Sequence, residues 1–287
     1  MTRADVGILH PGSMGARVAA QAVAAGARVR WLAQGRSAAT RERAAALGLT
    51  PAASTAELTA ECGVILSVCP PAAALDVARR IAATGFHGVY VDANAISPDH
   101  MEEIAQVMRG NGARVVDGGI TGPPPREADT TRLYLSGDDT AVDTVRTLFA
   151  GTLLTPVVLA GPVGRASALK LAFAAYNKIS YALAAEACAL AAGHGVLDDL
   201  RDLAAHLLPG TPLAAPEQLA SAGARAWRWE PEMREIADAW RDSGLPGTFA
   251  DAAAHTFDRW RAHKDDRTVT SDRLIADLMP PQPDERR

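Results

Sequence analysis

The first half of the chain alternates short apolar runs with longer helical segments. The apolar runs predict strands at Val6–Leu9, Arg28–Leu32, Gly63–Val68, Gly88–Asp92, Arg114–Val116, Thr131–Leu135 and Pro156–Leu159. Helices are predicted between them at Ser13–Ala25, Ala38–Leu47, Ala72–Ala83, Pro98–Arg109 and Thr140–Phe149. Such regular alternation predicts an α/β fold with a doubly wound, mostly parallel sheet of the Rossmann type. Gly161 and Gly164 mark a change of character. From Arg165 to Ala192 there is neither proline nor glycine, so one long helix is expected to lead out of the sheet domain. Only helices follow it, at Asp198–Leu208, Glu217–Ala222, Glu232–Asp242, Thr248–Ala262 and Ser271–Leu278. The predicted organisation is a sheet domain over 1–160, an all-helical domain over 161–279 and a disordered, proline-rich charged tail over 280–287.

The first strand, Val6–Leu9, runs straight into the turn His10-Pro11-Gly12-Ser13-Met14-Gly15 and then into a helix. Strand, glycine turn and helix in this order form the context of a dinucleotide phosphate site. Gly12 lets backbone approach a pyrophosphate. Gly15 lets the helix pack close to the strand, and the helix N-terminus offers its N–H groups to the phosphates. Where the usual G-x-G-x-x-G pattern has its first glycine this chain has His10, which is expected to lie against the loop. The competing reading is an ordinary strand–helix turn sharpened by two glycines.

Composition narrows the class. The 287 residues are 48% hydrophobic, enough for packed cores, and the formal charge of −4 is spread along the chain. No basic patch points to nucleic acid, and no apolar run approaches the ~20 residues of a membrane helix. Cys62, Cys69 and Cys188 suit a reducing compartment, and with no signal-like start a cytoplasmic protein is expected. His194, His255 and His263 are isolated, so no metal is assigned.

The residues after the second strand choose the cofactor. An acid there accepts hydrogen bonds from the NAD ribose and repels a 2′-phosphate. This chain instead reads Ala33-Gln34-Gly35-Arg36-Ser37, with Arg41 one turn on. A guanidinium matches phosphate oxygens in pairs. NADP(H) is therefore expected, unless these arginines only solvate a helix start.

Five segments together resemble the β-hydroxyacid dehydrogenase superfamily, which includes 6-phosphogluconate and 3-hydroxyisobutyrate dehydrogenases and the imine reductases. L-H-P-G-S-M-G resembles its G-L-G-x-M-G turn. Ser67–Pro71 (S-V-C-P-P) resembles the M-L-P loop bordering the cofactor, which implicates Cys69 and Pro70. Asp92–Pro98 (D-A-N-A-I-S-P) resembles the D-x-S-T-x-x-P segment beside the nicotinamide. Asp117–Pro123 (D-G-G-I-T-G-P) resembles the D-A-P-V-S-G-G substrate loop, and Gly161–Lys170 resembles G-x-V-G-x-G-x-x-x-K, which carries the catalytic lysine. The helical second half looks like a branch of phosphogluconate-dehydrogenase-like proteins with a distinct C-terminal domain. The resemblance implies a Rossmann domain, a helical substrate domain, a homodimer and hydride transfer. Phe173 and Ala174 stand where the family carries asparagines, which implies a different substrate.

The resemblance gives Lys170 the role of general acid/base in reducing a carbonyl or oxidising a hydroxyl, although a lysine on a long helix is more often a surface residue. Its neighbours A-L-K-L-A-F-A-A-Y are apolar, and burial there would bring its pKa toward working pH. At 100° per residue Asn177 lies about 20° to one side of Lys170 and Tyr181 about 20° to the other. These form a polar stripe, with Lys178 off it, flanking the pocket or solvent. Asn177 is assigned to catalysis and Tyr181 to substrate binding; a core hydrogen bond is the other reading of Asn177. Thr121 and Gly122 offer a hydroxyl and an N–H to a substrate oxygen, in a loop that Pro123 stiffens. Asn94 either touches the nicotinamide ribose or its amide, or caps a turn. Two other functions stay open: an imine reductase, in which this lysine is usually replaced by aspartate or tyrosine, and a non-catalytic NADP-binding regulator.

Overall fold

The structure, a computed structural model, describes residues 4–215 and 217–279. The tail expected at 280–287 lies outside the described residues. The chain divides into two compact units, one up to Leu171 and one from Ala172 on.

The first unit holds eight strands in one sheet, β1 (Asp5–Ile8), β2 (Arg28–Leu32), β3 (Thr50–Ala52), β4 (Val64–Ser67), β5 (Val89–Asp92), β6 (Arg114–Thr121), β7 (Thr131–Gly137) and β8 (Leu154–Val158). Their order is β3-β2-β1-β4-β5-β6-β7-β8. Every pairing is parallel except β6 with β7. The order reverses between β1 and β4, the switch point where doubly wound sheets open a crevice at the strands' carboxyl ends.

Six helices alternate with these strands: α1 (Ser13–Ala24), α2 (Ala38–Ala46), α3 (Thr55–Glu61), α4 (Ala74–Ala82), α5 (Pro98–Arg109) and α6 (Asp139–Phe149). Because strand side chains alternate between faces, the sheet carries two cores. Val6, Ile8, Leu66 and Val91 pack with Val18, Ala22, Val145 and Phe149 of α1 and α6. Leu9, Ile65, Tyr90 and Val115 pack on the other face with Leu58, Ile81, Met101 and Met108 of α3, α4 and α5.

Two elements of this unit were not expected, β3 and α3. Thr50–Ala52 contains Pro51, and proline is tolerated because β3 is an edge strand. α3 is seven residues long and buries only Leu58.

The long helix α7 spans Arg165–Gly193, one residue beyond its predicted end. The boundary between the units falls inside it, between Leu171 and Ala172, whereas the sequence placed it at the preceding glycine turn. The second unit continues with α8 (Leu197–Leu207), α9 (Glu217–Gly223), α10 (Ala226–Asp242), α11 (Thr248–Arg259) and α12 (Ser271–Leu278). α10 begins six residues before the expected Glu232 and runs through Pro231, which removes one backbone donor without ending the helix. Met233, Ile236 and Ala237 of α10 are buried, Trp229 meets Phe257 edge-on at 5.4 Å, and Phe257 and Trp260 pack with tilted rings at 6.0 Å. The Trp260 indole N–H donates to the Leu274 carbonyl at 2.9 Å.

Close packing of α1 on β1 depends on Gly15. A Cβ there would lie 2.2 Å from the His10 carbonyl oxygen. Gly15→Ala should therefore cost about 1–3 kcal/mol of unfolding free energy in a urea titration.

Candidate active site

The turn after β1 leaves backbone open at the start of α1. A Cβ at Gly12 would meet nothing within 4 Å, so this part of the backbone is open to a ligand. No side chain caps the N-terminus of α1, and no acid stands in its first turn. Its N–H groups are therefore offered outward to an anion. Arg36 does not simply project into solvent. It is half-buried, its Nη2 donates to the Leu9 carbonyl at 3.2 Å, and its Nε is buried with no hydrogen-bond partner among the described residues. Arg43 Nη1 donates to the Pro11 carbonyl at 3.1 Å, and Arg41 Nε to the Arg36 carbonyl at 3.3 Å. Ser37 caps α2, its Oγ accepting from Thr40 N at 3.3 Å. His10 Nδ1 is likewise buried and unpartnered among the described residues. Burial first, then the positive charges of Arg36 and Arg80, pull the His10 pKa down to about 4. The open backbone at Gly12, the uncapped α1 N-terminus and the Arg36 guanidinium have the donor chemistry that a phosphate-bearing dinucleotide needs.

Next to this turn, four buried polar side chains line up across the sheet. Ser67 pairs in register with Asp92, Asp92 with Asp117, and Asp117 with Ser136. All four are at most 1% exposed. Asn94, also buried, joins the row to the Cys69-Pro70 loop. Its N–H and Nδ2 donate to the two Asp92 oxygens at 3.1 and 2.9 Å, and Nδ2 also donates to Ser67 Oγ at 3.2 Å. Its Oδ1 accepts from Cys69 N at 2.5 Å. The amide is thus spent inside the protein, and Asn94 holds the Cys69-Pro70 loop. The Cys69 thiol is pushed up to about 11, chiefly by burial, and is protonated at neutral pH.

Asp117 is an acceptor for four donors. Its Oδ2 takes Ser136 Oγ at 3.1 Å, Gly164 N at 2.8 Å and Ser167 N at 3.0 Å, and its Oδ1 takes Ser167 Oγ at 2.7 Å. Asp92 differs. Burial raises its pKa to about 7; the Asn94 hydrogen bonds oppose this, the neighbouring Asp117 adds to it, and Lys170 opposes it.

Lys170 is half-buried, one helical turn beyond Ser167. α7 lies close to β6 because position 119 is glycine: a Cβ there would be 2.8 Å from the Ala166 carbonyl oxygen and 3.5 Å from Lys170 Cβ. By the strand's alternation Asp117, Gly119 and Thr121 share one face of β6. Gly122 follows in the left-handed region (φ +101°), packed on the Thr130 backbone, and Thr131 Oγ1 donates to the Pro123 carbonyl at 2.6 Å. Asp92, Asp117 and Gly119 lie within the sequence motifs, but the motifs give them no role. The signal for the two acids is an aspartate directly after each apolar run, V-Y-V in β5 and V-V in β6; Asp92 ends its strand, whereas β6 continues four residues past Asp117.

In the second unit Asn177, Ser180 and Tyr181 line a cavity of about 370 Å³ with Tyr176, Leu183 and Gln218. Tyr181 Oη donates to Gln218 Oε1 at 3.1 Å. Lys178 departs from its expected position at the pocket edge or in solvent. It is 8% exposed, paired with Glu232, and its Nζ lies 5.6 Å from the Trp229 ring centroid.

Fold and turn together define a dinucleotide-binding protein of the Rossmann class. The sequence profile of the NAD-binding domain of 6-phosphogluconate dehydrogenase matches residues 5–153, and a domain of unknown function, DUF1932, matches residues 191–260. The chain belongs to that NAD-binding family, and so to the β-hydroxyacid dehydrogenase-like superfamily of pyridine-nucleotide oxidoreductases. No curated protein matches it in sequence. Among solved structures, the conserved protein MTH1747, of unknown function and similar in structure to 3-hydroxyacid dehydrogenases, is 26% identical, with TM-score 0.72 over 90% of this chain and 98% of its own. 3-Hydroxyisobutyrate dehydrogenase of Mycobacterium tuberculosis, solved with L-serine, is 19% identical, with TM-score 0.79 over 97% and 100%. A reductive aminase of Aspergillus terreus, in complex with NADPH and ethyl levulinate, is 19% identical, with TM-score 0.58 over 96% and 99%. Among the described residues no helix is long and apolar enough to cross a membrane.

The raised pKa of Asp92 has a stability signature. The folded state holds this proton more tightly than the unfolded chain, whose reference value is 3.8. The contribution is complete below 3.8 and is lost as pH rises through about 7. Asp92→Asn cannot ionise, so between about pH 5 and pH 8 the variant should lose less unfolding free energy than the parent, by up to about 3 kcal/mol. Denaturant titrations at several pH values measure this difference; parallel curves for the two proteins would contradict the raised pKa.

Proposed function

We propose that this chain is an NADP(H)-dependent oxidoreductase that moves a hydride between the nicotinamide and a carbonyl or hydroxyl carbon, with Lys170 as general acid/base. The observation that carries the reading is the half-buried Lys170, seated on Gly119 of β6 beside the buried carboxyl row. When bound, the nicotinamide supplies or takes up the hydride. In the reducing direction Lys170 gives its proton to the carbonyl oxygen as the carbon receives the hydride, and the product is an alcohol. In the other direction Lys170 removes the hydroxyl proton.

Thr121 and Gly122, on the β6 side of Lys170, are assigned to the substrate oxygen, with Pro123 fixing their loop. In the second unit Asn177 keeps a proposed catalytic role and Tyr181 a proposed substrate-binding role; both line that unit's cavity. Arg36 is assigned to the adenosine 2′-phosphate, with Ser37 and Arg41 beside it. The pyrophosphate falls to the turn Pro11–Gly15, and Cys69 and Pro70 border the cofactor. In support, Arg36 is half-buried with an unspent donor, and no acid stands at the end of β2. The NADPH complex of the structurally similar reductive aminase agrees with this preference. That likeness also keeps C=N reduction as a second reading.

A homodimer through the helical unit belongs to the same proposal. Phe173, Tyr176, Leu183 and Leu190 of α7 are 56%, 78%, 68% and 67% exposed. Their spacing of three or seven residues gathers them on one side of the helix, an apolar stripe suited to a second copy. A reducing, cytoplasmic setting is proposed from the three free thiols.

Following NADPH absorbance with keto acids, ketones and cyclic imines tests the reading. Consumption with a carbonyl is expected, and Lys170→Met should lower kcat by about 10²–10⁴-fold. Consumption with imines alone would favour the second reading. Tight NADPH binding with no turnover would favour a regulator. Arg36→Ala should raise KM for NADPH about ten- to a hundredfold while changing that for NADH little; equal effects on both cofactors would sink the assignment. In light scattering, Leu183→Asp combined with Leu190→Asp should convert a dimer into a 30.0 kDa monomer.

A further inference from the structure

We propose that Asp117 is a positioning residue for Lys170: its buried carboxylate caps the first turn of α7 from the neighbouring strand and fixes where Lys170 stands on β6. A helix begins with N–H groups that have no partner within it, and a side chain just before the helix usually satisfies one of them. α7 follows Gly164, which has no side chain to give. The acceptor comes instead from β6, 47 residues earlier in the chain.

One Asp117 oxygen takes both Gly164 N and Ser167 N, and the other takes Ser167 Oγ. Ser136 of β7 ties the same carboxylate from the other side and also accepts from Ala166 N at 3.1 Å. Three of the four residues from Gly164 to Ser167 are thus bonded to this pair. With the first turn held, the next turn places Lys170 Cβ 3.5 Å from where a Cβ of Gly119 would be. Asp117 and Gly119 act as one seat: the carboxylate pulls the helix start onto β6, and the missing side chain lets it come that close. The carboxyl groups facing this part of α7 are Asp117 of β6 and Asp92 of β5.

The inference rests on the assignment of catalysis to Lys170, and its test includes a readout that does not need turnover. The chain has only three lysines, Lys170, Lys178 and Lys264. Lysine side chains labelled with ¹³C give three NMR signals, and Lys170→Arg assigns the one that matters. Asp117→Ala should move or broaden the Lys170 signal and leave the Lys264 signal in place. It should lower kcat at least tenfold with KM for NADPH within twofold. Asp117→Asn should restore most of the kcat, because its amide oxygen can take both N–H donors while its nitrogen meets Ser167 Oγ, which then accepts.

A folded Asp117→Ala protein with an unmoved Lys170 signal and unchanged kcat overturns the proposal. So does Asp117→Asn behaving no better than Asp117→Ala. If Asp117→Ala does not fold, Gly119→Ala and Ser167→Ala replace it. Each should move the Lys170 signal, and an unmoved signal in both overturns the proposal. If the parent turns over no substrate, the catalytic reading falls while the NMR result still decides the positioning.

Discussion

The polar row Ser67–Asp92–Asp117–Ser136 is the constraint on which the site depends. Four polar side chains are buried side by side across the strands, and each unsatisfied group there would cost about 1–3 kcal/mol. Their partners are therefore fixed, and those partners lie in two segments of the candidate site. Asn94 is drawn down onto Asp92 and Ser67 and holds the Cys69 backbone. Asp117 and Ser136 draw in the start of α7. The row thus converts the rigidity of the sheet into the placement of two segments, the Cys69-Pro70 loop after β4 and the helix that carries Lys170.

The two acids of the row are adjacent in register but have different surroundings. Asp117 accepts from four donors of β7 and α7, whereas Asp92 accepts from the backbone and side chain of Asn94 and feels the charges of Asp117 and Lys170. Burial and the neighbouring acid then favour the protonated form of Asp92, with a pKa of about 7. The difference follows from strand order: β5 is flanked by two strands whose row positions are Ser67 and Asp117, while β6 lies beneath the helix start.

Most of the fold was legible because it depends on local patterns. The apolar runs marked seven of the eight strands, and the stretch without glycine or proline marked α7 to within one residue. β3 and α3 escaped because a proline-bearing edge strand and a seven-residue helix with one buried leucine have no local signature. In the candidate site, the Gly12–Gly15 turn and Lys170 lie in contiguous motifs, so the sequence alone singles them out. The roles of Asp92, Asp117 and Gly119 could not be read this way, because each rests on a partner in another strand or in a helix up to 50 residues away. Lys178 shows the same limit. Helical geometry placed it off the Lys170 stripe, but burial against Trp229 and pairing with Glu232 on α10 are tertiary.

His10 illustrates how a departure from a motif can be absorbed. A histidine beside the cofactor turn suggests a cation for the phosphates. However, burial and the nearby Arg36 and Arg80 hold its pKa at about 4, so at neutral pH the ring carries no charge. Its backbone also shapes the turn, because the His10 carbonyl accepts from Gly12 N at 2.8 Å and lies where a Cβ of residue 15 would clash. Glycine is therefore required at 15 but not at 10, where the side chain is accommodated close to Arg36. The positive charge at this turn comes from the arginines, and its anion-binding geometry comes from the α1 backbone. Neither depends on the residue that breaks the pattern, so the turn can lose its first glycine and keep its function.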